Sequence, residues 1–295
     1  MDIRSLKGSI VALVTPFHAD GSVNFEKLAE LTEWHIANKT DAILTLGTTG
    51  ESSTMTHEED DAALRCVIEA AAGRVPVIAG TGSNSTQTML EKSLRAEKLG
   101  ADGLLLITPY YNKGNPEGIY RHFSDVADAV NIPCILYNVP GRTGCAISVE
   151  NVERLSKHPN ICGIKEASGD LSYAMKIAHC VGPDFALYSG NDDITLPLMG
   201  IGGSGVISVY ANVMPAMCRQ IVADYAGGRQ AQALANHLKY LKLMNDLFIE
   251  VNPIPVKAAM NMMGLNVGPT RLPLCEMGEE HAAVLRASLN EAGLL

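Results

Sequence analysis

Ile161-Cys-Gly-Ile-Lys-Glu-Ala-Ser168 is a short apolar run interrupted by a lysine, and its reading decides both fold and chemistry. A run this short and this apolar fits a strand of a parallel sheet covered on both faces. Strand alternation places Ile161, Gly163, Lys165 and Ala167 on one face and Cys162, Ile164 and Glu166 on the other. If the first face points into a closed barrel, Lys165 is buried and Gly163 leaves room beneath it. Burial disfavours an ammonium, and an amine attacks a carbonyl only when unprotonated, so desolvation there serves a Schiff-base nucleophile. The alternative is a structural lysine that pairs with a carboxylate or extends its head out at the strand end.

Outward from this run, seven more apolar stretches read as strands: Ile10–Val14, Ala42–Leu46, Pro76–Ala79, Gly103–Thr108, Cys134–Asn138, Phe185–Tyr188 and Gly205–Val209, with Cys162–Glu166 as the sixth of eight. Helical periodicity fills the gaps. In Thr56–Glu69, Leu64, Val67 and Ile68 share a face, Thr56 and Glu59 form a capping box, and Gly73 follows the end. Eight β-then-α units without a G-x-G-x-x-G in the first turn, Thr15-Pro-Phe-His-Ala-Asp-Gly21, fit an α/β fold of the (β/α)8 TIM-barrel type better than an open doubly wound sheet. Past the eighth strand the alternation ends. Met214–Ala226 completes the barrel, and Arg229–Glu250, Val256–Met263 and Glu279–Ala292 read as helices, with Asn252-Pro-Ile-Pro255 as a break. The expected division is a catalytic barrel over 1–226 and a small helical extension over 227–295.

Composition narrows the function. A net charge of −9 argues against a phosphate-binding surface, so nucleic acid is not an expected partner. No apolar stretch reaches membrane-spanning length and Met1–Gly8 lacks the apolar segment of a signal peptide, which reads as cytoplasmic. Seven scattered cysteines without a Cys-x-x-Cys suggest reduced thiols, and dispersed histidines give no metal-ligand spacing.

In a barrel of this type the polar groups that matter sit at the carboxyl ends of the strands. These are Gly47-Thr-Thr-Gly-Glu51, Tyr110 and Tyr111, Tyr137 with Arg142, Lys165, and Ser189-Gly190-Asn191. Tyr137 faces inward with Ile135 and can relay protons, or it is a half-buried core tyrosine. The Gly47–Glu51 turn can hold a carboxylate on backbone N–H groups, or simply cap a helix. Arg142 can grip a second carboxylate, or make a surface ion pair. Lys257, Lys39 and Lys98 are weaker nucleophile candidates, at one helix start and two helix ends.

Together, Gly47–Glu51, Ile107-Thr-Pro-Tyr-Tyr111, Leu136-Tyr-Asn-Val-Pro-Gly-Arg-Thr-Gly144, Gly163-Ile-Lys-Glu-Ala167 and Gly205-Val-Ile-Ser208 closely resemble the dihydrodipicolinate synthase family, within the N-acetylneuraminate lyase and class I aldolase superfamily. The resemblance spans essentially the whole chain. It implies a lyase of lysine and diaminopimelate biosynthesis that needs no cofactor. Lys165 would form an imine with pyruvate, and the enamine would attack L-aspartate-4-semialdehyde to give 4-hydroxy-tetrahydrodipicolinate. By the same resemblance Thr48, Tyr137 and Tyr111 form a proton relay, with Tyr111 reaching across a subunit contact in a homotetramer built as a dimer of dimers. Thr49 helps to hold the keto-acid carboxylate, Gly190 and Ile207 line the pocket, and Arg142 binds the semialdehyde carboxylate. Arg142 also distinguishes the synthases from sister aldolases acting on N-acetylneuraminate or 2-keto-3-deoxy sugar acids. Lysine-sensitive members bind the effector at positions matching Ser52, His57, Asn84 and Tyr110, with a His and a Glu where this chain has Asp60 and Thr88, so weak or absent lysine inhibition is expected.

Overall fold

A computed structural model describes residues 1–295. Eight strands, β1 (Gly8–Ala12), β2 (Ala42–Thr45), β3 (Val77–Gly80), β4 (Gly103–Ile107), β5 (Cys134–Asn138), β6 (Ile161–Glu166), β7 (Ala186–Ser189) and β8 (Gly205–Ser208), form a closed barrel in sequence order. Every pairing is parallel, including the β1–β8 seam. The (β/α)8 reading of the sequence therefore holds. Strand ends move by a residue or two, most at β1, which begins at Gly8 rather than Ile10; Leu13 still donates its N–H to Leu44 beyond the strand end.

The barrel has two apolar layers. Val11, Ile43, Leu104, Leu136, Ile164 and Leu187 face the surrounding helices, while Ile10, Leu44, Ile78, Ile135, Tyr188 and Ile207 fill the interior. Ile3 joins the interior layer and Tyr188 donates its hydroxyl to the carbonyl of Leu6, so the amino-terminal segment plugs the barrel. That packing leaves the carboxyl ends of the strands as the open mouth.

The β6 strand departs from simple alternation. Against β5, Cys134 faces Ile161 but Ile135 already faces Gly163, so Cys162 is an extra residue, a β-bulge. Ile161 consequently joins the outer layer and Cys162 the interior, the reverse of the sequence expectation, while the pairing of Tyr137 with Lys165 stays in phase. Gly163 also has a different reason for being glycine. A Cβ there would lie 2.6 Å from the carbonyl oxygen of Ala186, so it permits close approach of β7 rather than space under Lys165.

After β8, helix Pro215–Ala226 packs on the barrel, followed by helices Gln230–Asp246, Ile254–Met262 and Glu279–Glu291. The expected break at Asn252–Pro255 is shorter than read: Ile254 and Pro255 already form the first helical turn, where proline's missing N–H costs nothing. The Thr56–Glu59 capping box is present, and Ala72, in the left-handed conformation, ends that helix before Gly73. No helix is long and apolar enough to cross a membrane.

The β1–β8 seam supplies a stability test. Gly205 has φ +146°, and a Cβ there would collide with the backbone of Gly8. Gly205→Ala is expected to lower unfolding free energy by about 2–4 kcal/mol, read from the urea midpoint; an unchanged midpoint would show that the seam relaxes freely.

Candidate active site

Lys165 sits one residue from the end of β6 and is 5 % exposed. It makes no ion pair, and its Nζ lies 4.5 Å from the ring centroid of Tyr137, its register partner on β5. The next pair along, Asn138 and Glu166, points to the other face, where Asn138 Nδ2 donates to Glu166 Oε2 at 2.7 Å. Asn138 Oδ1 in turn accepts from the N–H of Ile147, and Glu166 Oε1 from that of Ser168. This buried polar pair fixes the β5–β6 register from behind, so the tyrosine and lysine meet inside the barrel mouth.

Burial lowers the Lys165 pKa from 10.5 to about 8; Asp192 opposes the shift and Arg142 adds to it. Asp192 is itself buried, accepting from the Ser208 hydroxyl at 2.5 Å and the N–H groups of Val209 and Tyr210 at 3.0 and 2.9 Å. These bonds hold the carboxylate at the end of β8, and it forms no ion pair with Lys165. Space for the lysine comes from Gly190, where a Cβ would lie 3.0 Å from Lys165 Cε. Burial also raises the pKa of Tyr137, with Arg142 and Thr48 acting against that rise, so the phenol keeps its proton at neutral pH.

A cavity of about 180 Å3 surrounds these groups, lined by Thr48, Thr49, Tyr137, Arg142, Lys165 and Gly190 among others, with Phe248 and Asn252 supplied by the extension. In the Gly47–Glu51 turn the N–H groups of Gly50 and Glu51 donate to the carbonyls of Gly47 and Thr48. Those of Thr48 and Thr49 take no partner. Arg142, on the short helix Pro140–Thr143, donates from Nη2 to the carbonyl of Asn252 at 2.9 Å. It is therefore held at the cavity rather than in a surface ion pair. A second cavity of about 280 Å3 shares Thr48, Tyr137 and Arg142 with the first and continues to Ser52, Lys92 and Tyr110.

Two expected residues are not brought to the lysine in the same way. Ile207 is fully buried within the barrel interior but does not line the cavity. Tyr111 lies outside, 90 % exposed, with a left-handed backbone (φ +70°). Within one chain it does not join Thr48 and Tyr137.

Sequence reasoning missed Asp192, Asn252 and the role of Lys257. Lys257 is 1 % exposed and bonds Glu51 Oε1 at 2.9 Å, the carbonyl of Thr15 at 3.1 Å and that of Pro269 at 2.5 Å. Glu51 also accepts from the N–H of Arg271, whose guanidinium grips Glu59. The extension thereby ties down the Gly47–Glu51 turn through a buried ion pair, and the structural alternative weighed for Lys165 is the one Lys257 fulfils.

Comparison with known proteins agrees with this geometry. Residues 5–292 match the model of the Dihydrodipicolinate synthetase family. The chain belongs to that family. A 4-hydroxy-tetrahydrodipicolinate synthase of Clostridium perfringens (strain SM101 / Type A) is 52 % identical over 289 residues, covering 98 % of this chain and 99 % of that one. The dihydrodipicolinate synthase of Acinetobacter baumannii, solved in complex with pyruvate, superposes with a TM-score of 0.96 at 44 % identity, covering 98 % of this chain and 100 % of that one. A family member from Cyanidioschyzon merolae with lysine bound gives a TM-score of 0.96 at 42 % identity, covering 98 % and 99 %. The family expected from the sequence is thus shown, and these relatives favour a synthase over the sister sugar-acid aldolases.

The lysine pKa sets a pH dependence. Only the neutral amine attacks, so kcat/KM for pyruvate should fall about tenfold per pH unit below pH 8 and level off above it. A pH–rate profile that stays flat down to pH 6 would contradict a nucleophile of this pKa.

Proposed function

We propose that this protein is a 4-hydroxy-tetrahydrodipicolinate synthase that joins pyruvate to L-aspartate-4-semialdehyde through an imine on Lys165. The observation that carries the reading is a buried, unpaired lysine amine facing a tyrosine, with a neighbouring arginine held for a second carboxylate. The Lys165 nitrogen adds to the pyruvate keto carbon and water leaves, giving the imine. Loss of a methyl proton gives the enamine, whose carbon attacks the aldehyde. The semialdehyde nitrogen then closes onto the imine carbon and displaces Lys165. Imine formation, the aldehyde addition and the ring closure move protons to and from oxygen and nitrogen, and the enamine step takes one from carbon, transfers that suit the Tyr137 phenol beside Thr48. The free N–H groups at Thr48 and Thr49 suit the pyruvate carboxylate, and the Gly190 backbone borders it. Ile207 contributes packing beneath the site.

In this reading Tyr111 completes the relay of a neighbouring subunit within a homotetramer, working in the cytoplasm. A tyrosine held so exposed on left-handed backbone supports that role, since nothing in its own chain covers it. Residues 1–226 are taken as the catalytic barrel and 227–295 as the extension that fixes the Gly47–Glu51 turn.

Turnover separates this function from its sisters. The protein should consume L-aspartate-4-semialdehyde with pyruvate and leave N-acetylmannosamine untouched; the opposite preference would make it a sugar-acid aldolase. Arg142→Ala should lower kcat/KM for the semialdehyde by about 10²-fold while pyruvate still forms its imine.

Lysine regulation follows from a neighbouring ion pair. Lys92 Nζ, at the wall of the second cavity, meets the buried carboxylate of Asp60 at 2.9 Å. The chain's own ammonium thus already pairs with Asp60 Oδ2, and Thr88 offers no second carboxylate. Lysine inhibition is expected to be weak or absent in a steady-state assay, and inhibition at micromolar concentration would overturn this.

A further inference from the structure

Two carboxamides in the Lys165 cavity leave an oxygen unused. Asn252 is 5 % exposed, and its Oδ1 is shielded from solvent with no hydrogen-bond partner. Asn191, just after Gly190, likewise leaves a shielded Oδ1 without a partner. Both residues line the cavity that holds Lys165 and Arg142.

The rest of Asn252 is committed. Its Nδ2 lies 3.1 Å from Thr49 Oγ1 and donates to it, and its backbone carbonyl accepts from Arg142 Nη2 at 2.9 Å. With the nitrogen turned to Thr49, the oxygen is the atom left over. A buried amide oxygen without a donor is costly, so an occupant that brings N–H groups is favoured over one that does not.

This deepens the function proposed above and rests on it. Pyruvate brings only acceptor oxygens, whereas the semialdehyde carries an α-ammonium with three donors beside its carboxylate. Arg142 and Asn252 are hydrogen-bonded to each other, so a carboxylate-binding guanidinium and a free acceptor stand next to one another. An α-amino acid presents the same two groups on one carbon. We infer that Asn252, together with Asn191, forms the subsite that recognises the α-ammonium of the second substrate and makes the enzyme select an amino-acid semialdehyde over an aldehyde acid without the amine. Asn252 thus touches all three recognition groups: Thr49 by its nitrogen, Arg142 by its backbone, and the amine by its oxygen.

The test compares L-aspartate-4-semialdehyde with succinic semialdehyde, which lacks the amine, on the full-length protein. kcat/KM is measured for the first and the competitive inhibition constant for the second, with KM for pyruvate as control. Asn252→Leu should lower kcat/KM for the amino substrate about 10–100-fold and move the succinic semialdehyde constant less than about threefold. Asn252→Asp, which keeps an acceptor there and can accept from the Thr49 hydroxyl, should retain the preference; Asn191→Leu should weaken it in the same direction. Equal losses for both semialdehydes, or a preference unchanged in Asn252→Leu and Asn191→Leu, would overturn the subsite. If Asn252→Leu does not fold, the other two variants decide: loss of preference in Asn252→Asp, or its persistence in Asn191→Leu, overturns the inference. Wild-type protein that makes no product from pyruvate and L-aspartate-4-semialdehyde would instead contradict the functional reading.

Discussion

The Lys165 side chain is buried at the barrel mouth and meets no carboxylate in an ion pair, so its charged form is penalised relative to water. A shift from 10.5 to about 8 corresponds to roughly 3 kcal/mol of differential stability between the two protonation states. Because the folded pKa lies below the unfolded one, this penalty is present in full below pH 8 and disappears as pH rises past the unfolded value. The closed barrel, with its two apolar layers, supplies the stability against which that cost is set. In exchange the protein holds an amine that loses its proton more readily than a lysine in water.

The two buried lysines show how surroundings choose between roles. Lys257 is as deeply buried, yet Glu51 and two carbonyls surround its ammonium, and its work is to tie the extension to the Gly47–Glu51 turn. Removing one member of such a pair leaves an unpaired buried charge, which is why this kind of contact holds geometry firmly while adding little net stability. Lys165 has aromatic and glycine neighbours instead, and the buried acid Asp192 is hydrogen-bonded to Ser208 and two N–H groups.

Much of this was legible in the sequence. Eight apolar runs with helical segments between them carried the barrel, because parallel strands buried on both faces are nearly continuous in Val, Ile and Leu. Tyr137 and Lys165 were legible as inward-facing by alternation from the strand end. What alternation misses is a bulge: one extra residue at Cys162 reverses Ile161 and Cys162 while leaving Lys165 in place. The sequence points to Gly163, two residues before the lysine, for space around it, whereas Gly190, just past the end of the next strand, provides it. Asn252 and Lys257 were hidden for a related reason. They reach the site from a segment more than eighty residues beyond Lys165, and no local period encodes such a contact. Tyr111, 90 % exposed, meets neither Thr48 nor Tyr137 within this chain.

The central claim is that the neutral amine of Lys165, and no other lysine, carries the chemistry. Incubation with pyruvate and sodium borohydride, followed by mass spectrometry of the digested protein, addresses it directly. The account predicts one reduced pyruvyl adduct per chain, located on the peptide containing Lys165 and absent from Lys165→Ala. An adduct on Lys257 or any other lysine, or no adduct while the protein still turns over, would contradict it.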